Sequence, residues 1–274
     1  AEQACQRFAA YSDLDKHKCT IEEREEYEPH IDNGFIIYSG VDYGRILKEA
    51  EEEAEVILWD GGNNDLPFYR PDVHICIADP LRPGHEMSYH PGEANFRRAD
   101  IILINKCDSA DPKAIESIEA AAAKFNPKAR VLRANSPATC DSPEMVKGKR
   151  VLVIEDGPTL THGGMTYGAG VVAAKRLGAA EIVDPTPFAV GSIRETYEKY
   201  PNAKGILPAM GYSPLQIEEL EATIEKTPCD LVLSGTPIDL TRVLKIGKPA
   251  ARVRYELEPL VPGLLEEEIR KFVR

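Results

Sequence analysis

Two strings in the first half of the chain carry residue types suited to holding a nucleoside triphosphate. Val56-Ile57-Leu58-Trp59-Asp60-Gly61-Gly62 is an apolar run that ends in an acid and two glycines. At the carboxyl end of a parallel strand an Asp can hold the water shell of Mg²⁺ beside a triphosphate. Glycines there let backbone amides approach a phosphate or its attacking water. Asp60 is therefore the candidate Mg²⁺ residue, acting through water, with Gly61 and Gly62 as candidate nucleotide contacts. An Asp-Gly after a strand also serves as a plain turn. Further on, Ile101-Ile102-Leu103-Ile104 leads into Asn105-Lys106-Cys107-Asp108. The Asp108 carboxylate can accept two N–H groups of a guanine ring, Asn105 can fix the loop, and the Lys106 stem can lie along the base plane. A polar loop after a strand is the plainer reading of that string alone. The two strings in this order, each at a strand end, favour a nucleotide site for ATP or GTP.

Between them lie Asp79-Pro80-Leu81-Arg82-Pro83-Gly84-His85-Glu86 and His90-Pro91-Gly92-Glu93, followed by Arg97 and Arg98. Arg82, His85, Arg97 and Arg98 make a cationic patch suited to substrate phosphates or to a lid, with surface pairing to Glu86 and Glu93 as the alternative. In the second half, Val151 to Ile154 runs into Glu155-Asp156-Gly157-Pro158-Thr159-Leu160-Thr161-His162-Gly163-Gly164, with a helix opening near Tyr167-Gly168-Ala169-Gly170. Glu155, Asp156 and His162 gather acid and imidazole groups fit for proton handling or Mg²⁺. The glycine-rich helix entry offers N–H groups to an anion, or else simply caps the helix. Thr236 and Arg242, around Ser234-Gly235-Thr236-Pro237, are candidate phosphate contacts, though a Pro-containing helix start explains the string equally well. His74, Cys76, His85 and His90 lack a helical ligand spacing, which argues against a transition metal.

The elements that must position these residues read as strands alternating with helices. Strands are expected over 35–38, 56–59, 73–78, 101–104, 130–133, 151–154, 181–183, 205–207, 231–234 and 251–255. Helices are expected over 43–53, 112–124, 167–177, 191–199, 214–226, 239–244 and 264–273. This alternation implies βαβ units, and the continuous apolar runs imply strands buried on both faces of a mostly parallel sheet. The fold class is therefore α/β: a P-loop NTPase-like half over 1–146, then a Rossmann-like half over 147–274, divided in the polar, proline-containing stretch 136–149. The acidic run Glu22-Glu23-Arg24-Glu25-Glu26 reads as a solvated helix face.

Composition bounds the rest. The 274 residues carry a net charge of −12, which disfavours non-specific binding to nucleic acid or anionic membrane. No apolar run is long enough to cross a bilayer as a helix, and a cytoplasmic location is expected. Six cysteines without a CxxC pair argue against a disulfide framework and a structural zinc site. No Gly-x-x-x-x-Gly-Lys-Ser/Thr occurs in the chain, so the phosphate loop that precedes such an Asp-Gly strand is expected upstream of Ala1.

Several longer strings carry a family resemblance: Tyr27-Glu28-Pro29-His30, Gly40-Val41-Asp42-Tyr43, Trp59-Asp60-Gly61-Gly62-Asn63-Asn64-Asp65, Arg82-Pro83-Gly84-His85-Glu86, Glu155-Asp156-Gly157-Pro158-Thr159 and Gly235-Thr236-Pro237-Ile238-Asp239-Leu240. Through them the chain resembles the predicted GTPases of archaea and bacteria akin to cyclic 2,3-diphosphoglycerate synthetase. The resemblance implies a longer, homodimeric protein with an N-terminal Rossmann-like domain. It implies NTP-driven closure of 2,3-bisphosphoglycerate into a cyclic anhydride, with a small phosphorylated metabolite as substrate. Asp60 would organise Mg²⁺, and Arg82, His85 and Arg242 would hold substrate phosphates. The synthetase activity uses ATP, whereas Asn105-Lys106-Cys107-Asp108 suggests guanine. A GTPase switch or assembly factor, and a nucleotide-binding scaffold without activity, are the alternatives.

Overall fold

The computed structural model describes residues 3–61, 65–161, 165–210 and 213–272. In chain order, β1 (Gln6–Phe8), α1 (Tyr11–Lys16), α2 (Ile21–Asp32), β2 (Ile37–Ser39) and α3 (Tyr43–Glu51) come first. Then follow β3 (Ile75–Ala78), α4 (His85–Ser88), α5 (Gly92–Arg98), β4 (Ile101–Ile104), α6 (Pro112–Phe125), β5 (Arg130–Asn135) and β6 (Ala138–Cys140). The remainder comprises β7 (Arg150–Asp156), α7 (Gly157–Thr161), α8 (Ala169–Arg176), β8 (Glu181–Ile182), α9 (Ser192–Lys199), β9 (Leu207–Ala209), α10 (Pro214–Lys226), β10 (Leu231–Gly235), β11 (Ala250–Tyr255), β12 (Glu258–Pro259) and α11 (Leu264–Arg270). The fold is α/β with mostly parallel sheets, as the strand and helix alternation implies.

Two compact units are present, and neither is a continuous stretch of chain. One comprises residues 1–49 with 138–254, the other 50–137 with 255–274. The sequence places one boundary at 146/147 and the first residues in the first half. In the structure, α2 packs with the C-terminal strands: Ile21, at its start, belongs to the same core as Val151 to Ile154 and Leu231 to Leu233.

In the first unit the sheet order is β6-β11-β10-β7-β8, with β9 also on β7. β7 is parallel to β10, β8 and β9. Its four central side chains, Val151 to Ile154, are completely buried, each worth about 1.5–3 kcal/mol of apolar transfer. Helices cover this sheet because local signals start them where the apolar face begins. Ser213 caps α10 by accepting from the Gln216 N–H, with Pro214 in the first turn. Thr20 and Glu23 form a reciprocal capping box on α2. The segment expected as a helix over 239–244 is only a single 3₁₀ turn, Leu240–Arg242.

In the second unit β3, β4 and β5 are parallel and β12 adds antiparallel to β5. Asp111 and Pro112 start α6, whose Ile115, Ile118 and Ala122 pack on Ile102 and Ile104 of β4. The strand expected over 56–59 does not form. β3 is the edge of this sheet among the described residues, and Val56, Ile57 and Leu58 are exposed. Apolar character alone does not make a strand without a paired backbone.

No described helix is long and apolar enough to cross a membrane. All six cysteines are free.

Candidate functional site

Parallel strands converge their carboxyl ends on one edge, where loops can gather side chains. In the second unit that edge holds Asp79 after β3 and Asn105, Lys106 and Asp108 after β4. Lys106 turns into the left-handed region, with φ 57°, unusual for a residue with a long side chain. Its Nζ lies 3.0 Å from Asp79 Oδ2, which also accepts from Arg82 Nη2 at 3.0 Å. Burial pushes the Asp79 carboxyl up, but the pairing with Lys106 and Arg82 outweighs it and holds the group below the usual carboxylate range. The loop is laced to its neighbours. The Asn105 N–H donates to Ala78, the Cys107 N–H to Ala134, and Asp108 Oδ1 accepts from the Ser136 N–H at 2.9 Å. Asn105 Oδ1 is buried without a hydrogen-bond partner, an acceptor open to an N–H donor. Sequence reasoning does not single out Asp79 as a site residue. Its position directly after β3, facing a cationic loop, was the available signal.

Arg82 and His85 follow β3 at this same edge, and the His85 ring packs on Tyr89 with centroids 4.9 Å apart. Arg97 and Arg98 precede β4. Because β3 and β4 are parallel, the four cations read as one patch stand at opposite ends of the strands. Asp60 and Gly61 lie in irregular backbone, with Trp59 packed on Phe68 and Tyr69. Asp60 is exposed. A single open carboxylate is compatible with Mg²⁺, which keeps most of its waters and takes few protein ligands. Among the described residues no group of three or more His, Cys, Asp or Glu is arranged to hold a metal ion. Gly62 and His162 lie outside the described residues.

In the first unit the carboxyl ends of β7, β9 and β10 meet around Glu155 and Asp156. Glu155 is buried, and its carboxylate accepts the N–H groups of Gly168, Gly170 and Val171 at 2.9–3.2 Å. The helix entry expected to offer its N–H groups to an anion is therefore filled by the protein's own carboxylate. Glycines make the room: a Cβ on Gly168 would sit 2.6 Å from Glu155 Oε2, and one on Gly235 would meet Gly170 N at 2.7 Å. Burial raises Glu155 to a pKa of about 7 against the lowering effect of the three N–H donors.

Asp156 accepts from the N–H and hydroxyl of Thr159 and neighbours Glu25 of α2, whose Oε1 is buried without a hydrogen-bond partner. Glu25 is 6% exposed and Glu28 1% exposed, so the acidic helix expected to present a solvated face turns two of its carboxyls inward. Desolvation, then the neighbouring Asp156, push Glu25 up to about 10. Glu25 and Glu28 are the residues sequence reasoning missed. Their i, i+3 spacing on one helix face was the only signal.

Thr236 is completely buried, its hydroxyl donating to the Ile238 carbonyl at 3.1 Å, so it holds the turn. The Arg242 guanidinium stacks 4.2 Å over Tyr11 and lies 3.8 Å from Glu28, Asp32 and Asp239. These partners already surround the cation that was expected to meet substrate phosphate.

No protein-family model matches the chain. It is 59% identical over 273 residues to arginine synthetase ArcE of Thermococcus kodakarensis. That alignment takes in 100% of this chain and 61% of the relative, so the chain spans about three fifths of the length of the curated protein it matches. The second unit thus carries a polar loop with an open acceptor at its strand ends, and the first unit, taken by itself, a pair of neighbouring carboxyls, Glu25 and Asp156. Such groups can bind a nucleotide and accept or return protons.

Proposed function

We propose that this chain is the larger part of a nucleotide-dependent synthetase whose product is arginine. The 59% identity to arginine synthetase ArcE across the whole chain carries the reading. Completing a guanidinium requires a new C–N bond at a carbon whose oxygen leaves poorly. Transfer of the γ-phosphoryl group to that oxygen expels the nucleoside diphosphate and converts the oxygen into a phosphate leaving group. Ammonia then attacks the carbon, sheds a proton to a general base, and displaces inorganic phosphate. In this scheme Asn105, Lys106 and Asp108 hold the nucleotide's ring, Asp60 orients Mg²⁺ through water, and Arg82 and His85 meet phosphates. The Asn105 to Asp108 string favours GTP as the phosphoryl donor, since Asp108 Oδ1 accepts from the Ser136 N–H while Oδ2 meets only the Ser109 hydroxyl at 3.4 Å, a long contact that a guanine N–H could replace.

The test uses the longer natural protein with Mg²⁺, ATP or GTP, ammonium and the ureido analogue of arginine. Arginine and phosphate formed in equal amounts support the reading, and Asp108→Ala is expected to remove any preference for GTP. Phosphate release only with 2,3-bisphosphoglycerate, together with its cyclic anhydride, would replace it with the cyclising activity. Hydrolysis indifferent to both substrates would favour a GTPase switch.

A further inference from the structure

At the amino-terminal ends of β4 and β5 the second unit holds a cavity of about 360 Å³. Its cations come from four separate places: Arg97 and Arg98 at the end of α5, Lys128 in the α6–β5 turn, Arg130 at the start of β5, and Lys271 just after α11. Asp100 and Glu268 are the acids on its wall. Both are occupied, Asp100 by the His74 N–H at 2.8 Å and Glu268 by Arg130 and Lys271. Arg97 pairs with Glu93 and stacks 4.6 Å over Phe125. Arg98 and Lys128 have no ion pair among the described residues and are exposed.

Cations near helix ends often serve only to balance the carbonyls of a last turn. Here that work is done by another group. Asn126 is buried, and its Nδ2 donates to the carbonyls of Phe96 at 3.0 Å and Ala99 at 2.9 Å, while its own N–H closes α6 on Ala122. Of the five cations, Arg97 is paired with Glu93, and Arg130 and Lys271 share Glu268, which leaves the charges of Arg98 and Lys128 without an ion pair among the described residues. They stand so in a chain whose net charge is −12. Concentrating like charge in a concave site raises the local potential and costs stability unless an anion relieves it.

We propose that this cavity binds a small polyanion carrying two phosphate groups, with the Phe272 ring as one apolar wall. Its volume lies at the small end of the range for ligand sites, which suits a diphosphate. Guanidinium groups from different elements match phosphate oxygens in pairs. The site is separate from the nucleotide loop: β4 runs from Ile101, at the cavity, to Asn105, about 13 Å away at strand rise. Occupancy joins α5, the α6–β5 turn and α11, and so acts on the base of the sheet whose other edge carries Asp79 and Lys106.

The experiment is calorimetric titration of inorganic pyrophosphate into the full chain without Mg²⁺, at low and raised salt. Pyrophosphate is expected to bind the native chain, with affinity falling as salt rises. Binding is expected to weaken at least tenfold in the Arg98→Ala/Lys128→Ala double variant and to be unchanged in Asp108→Ala. Backbone amide resonances of Asp100 and Arg130 are expected to shift on titration. Absence of binding, equal binding by the double variant, or a loss in Asp108→Ala as large as in the double variant would each overturn the proposal. Both substituted positions are exposed, so circular dichroism of the double variant is expected to match the native chain. None of these readouts depends on synthetase activity.

Discussion

Replacing Glu25 with glutamine should make the protein more stable at neutral pH, and the gain should grow with pH. Glu25 is buried beside Asp156 and holds its proton to about pH 10, against an ordinary carboxyl value of 4.5. Between those values the folded chain keeps a proton that the unfolded chain releases. The contribution to stability is complete below the unfolded value and declines as pH rises toward the folded one, by at most about 1.4 kcal/mol per pH unit. From about pH 5 to about pH 7 the native chain should therefore lose roughly 3 kcal/mol through this group alone. A glutamine side chain at this position has the same shape and is neutral throughout. Urea denaturation of both proteins at about pH 5, 7 and 9 reads the difference directly, because Glu155 and every other titrating group are common to both. A widening advantage for Glu25→Gln with rising pH is expected. Two parallel stability curves, or a variant less stable at every pH, would refute the assignment of a protonated Glu25 to this site.

Three further substitutions test other parts of the structure by denaturant unfolding. Gly235→Ala would place a methyl group against the Gly170 backbone and the Glu155 carboxylate, and a loss of about 2–3 kcal/mol is expected, as for overpacked cores. Asn126→Ala strands the carbonyls of Phe96 and Ala99, with an expected cost of about 1–3 kcal/mol; an unchanged midpoint would mean that water caps them as well. Asp79→Asn weakens the hold on Lys106 and Arg82. The cations are partly exposed, so stability should fall by only about 1 kcal/mol, while nucleotide affinity falls more if the left-handed Lys106 loop is part of the nucleotide site.

Much of the fold was legible along the chain because its signals are local. Val151 to Ile154 and Leu231 to Leu233 are apolar runs too short for helices, and they became the paired central strands β7 and β10. Ser213-Pro214 and Asp111-Pro112 carry their own helix starts, and α10 and α6 begin there. What the sequence by itself determined was therefore the set of elements, their alternation, and the loops at strand ends where Asn105 to Asp108 and Glu155-Asp156 stand. Other features depend on which backbone lies beside which, and no local pattern encodes that. Val56 to Trp59 has the composition of a strand but no paired neighbour among the described residues, so it stays irregular. Parallel pairing of β3 and β4 sent Arg82 and Arg97 to opposite ends although they are near in sequence. Only the tertiary structure brought α2 onto the C-terminal strands, where Glu25 leaves solvent beside Asp156, and turned Glu155 onto the N–H groups of α8. A carboxyl's protonation is set by the water it loses and the charges it meets, and both are consequences of packing.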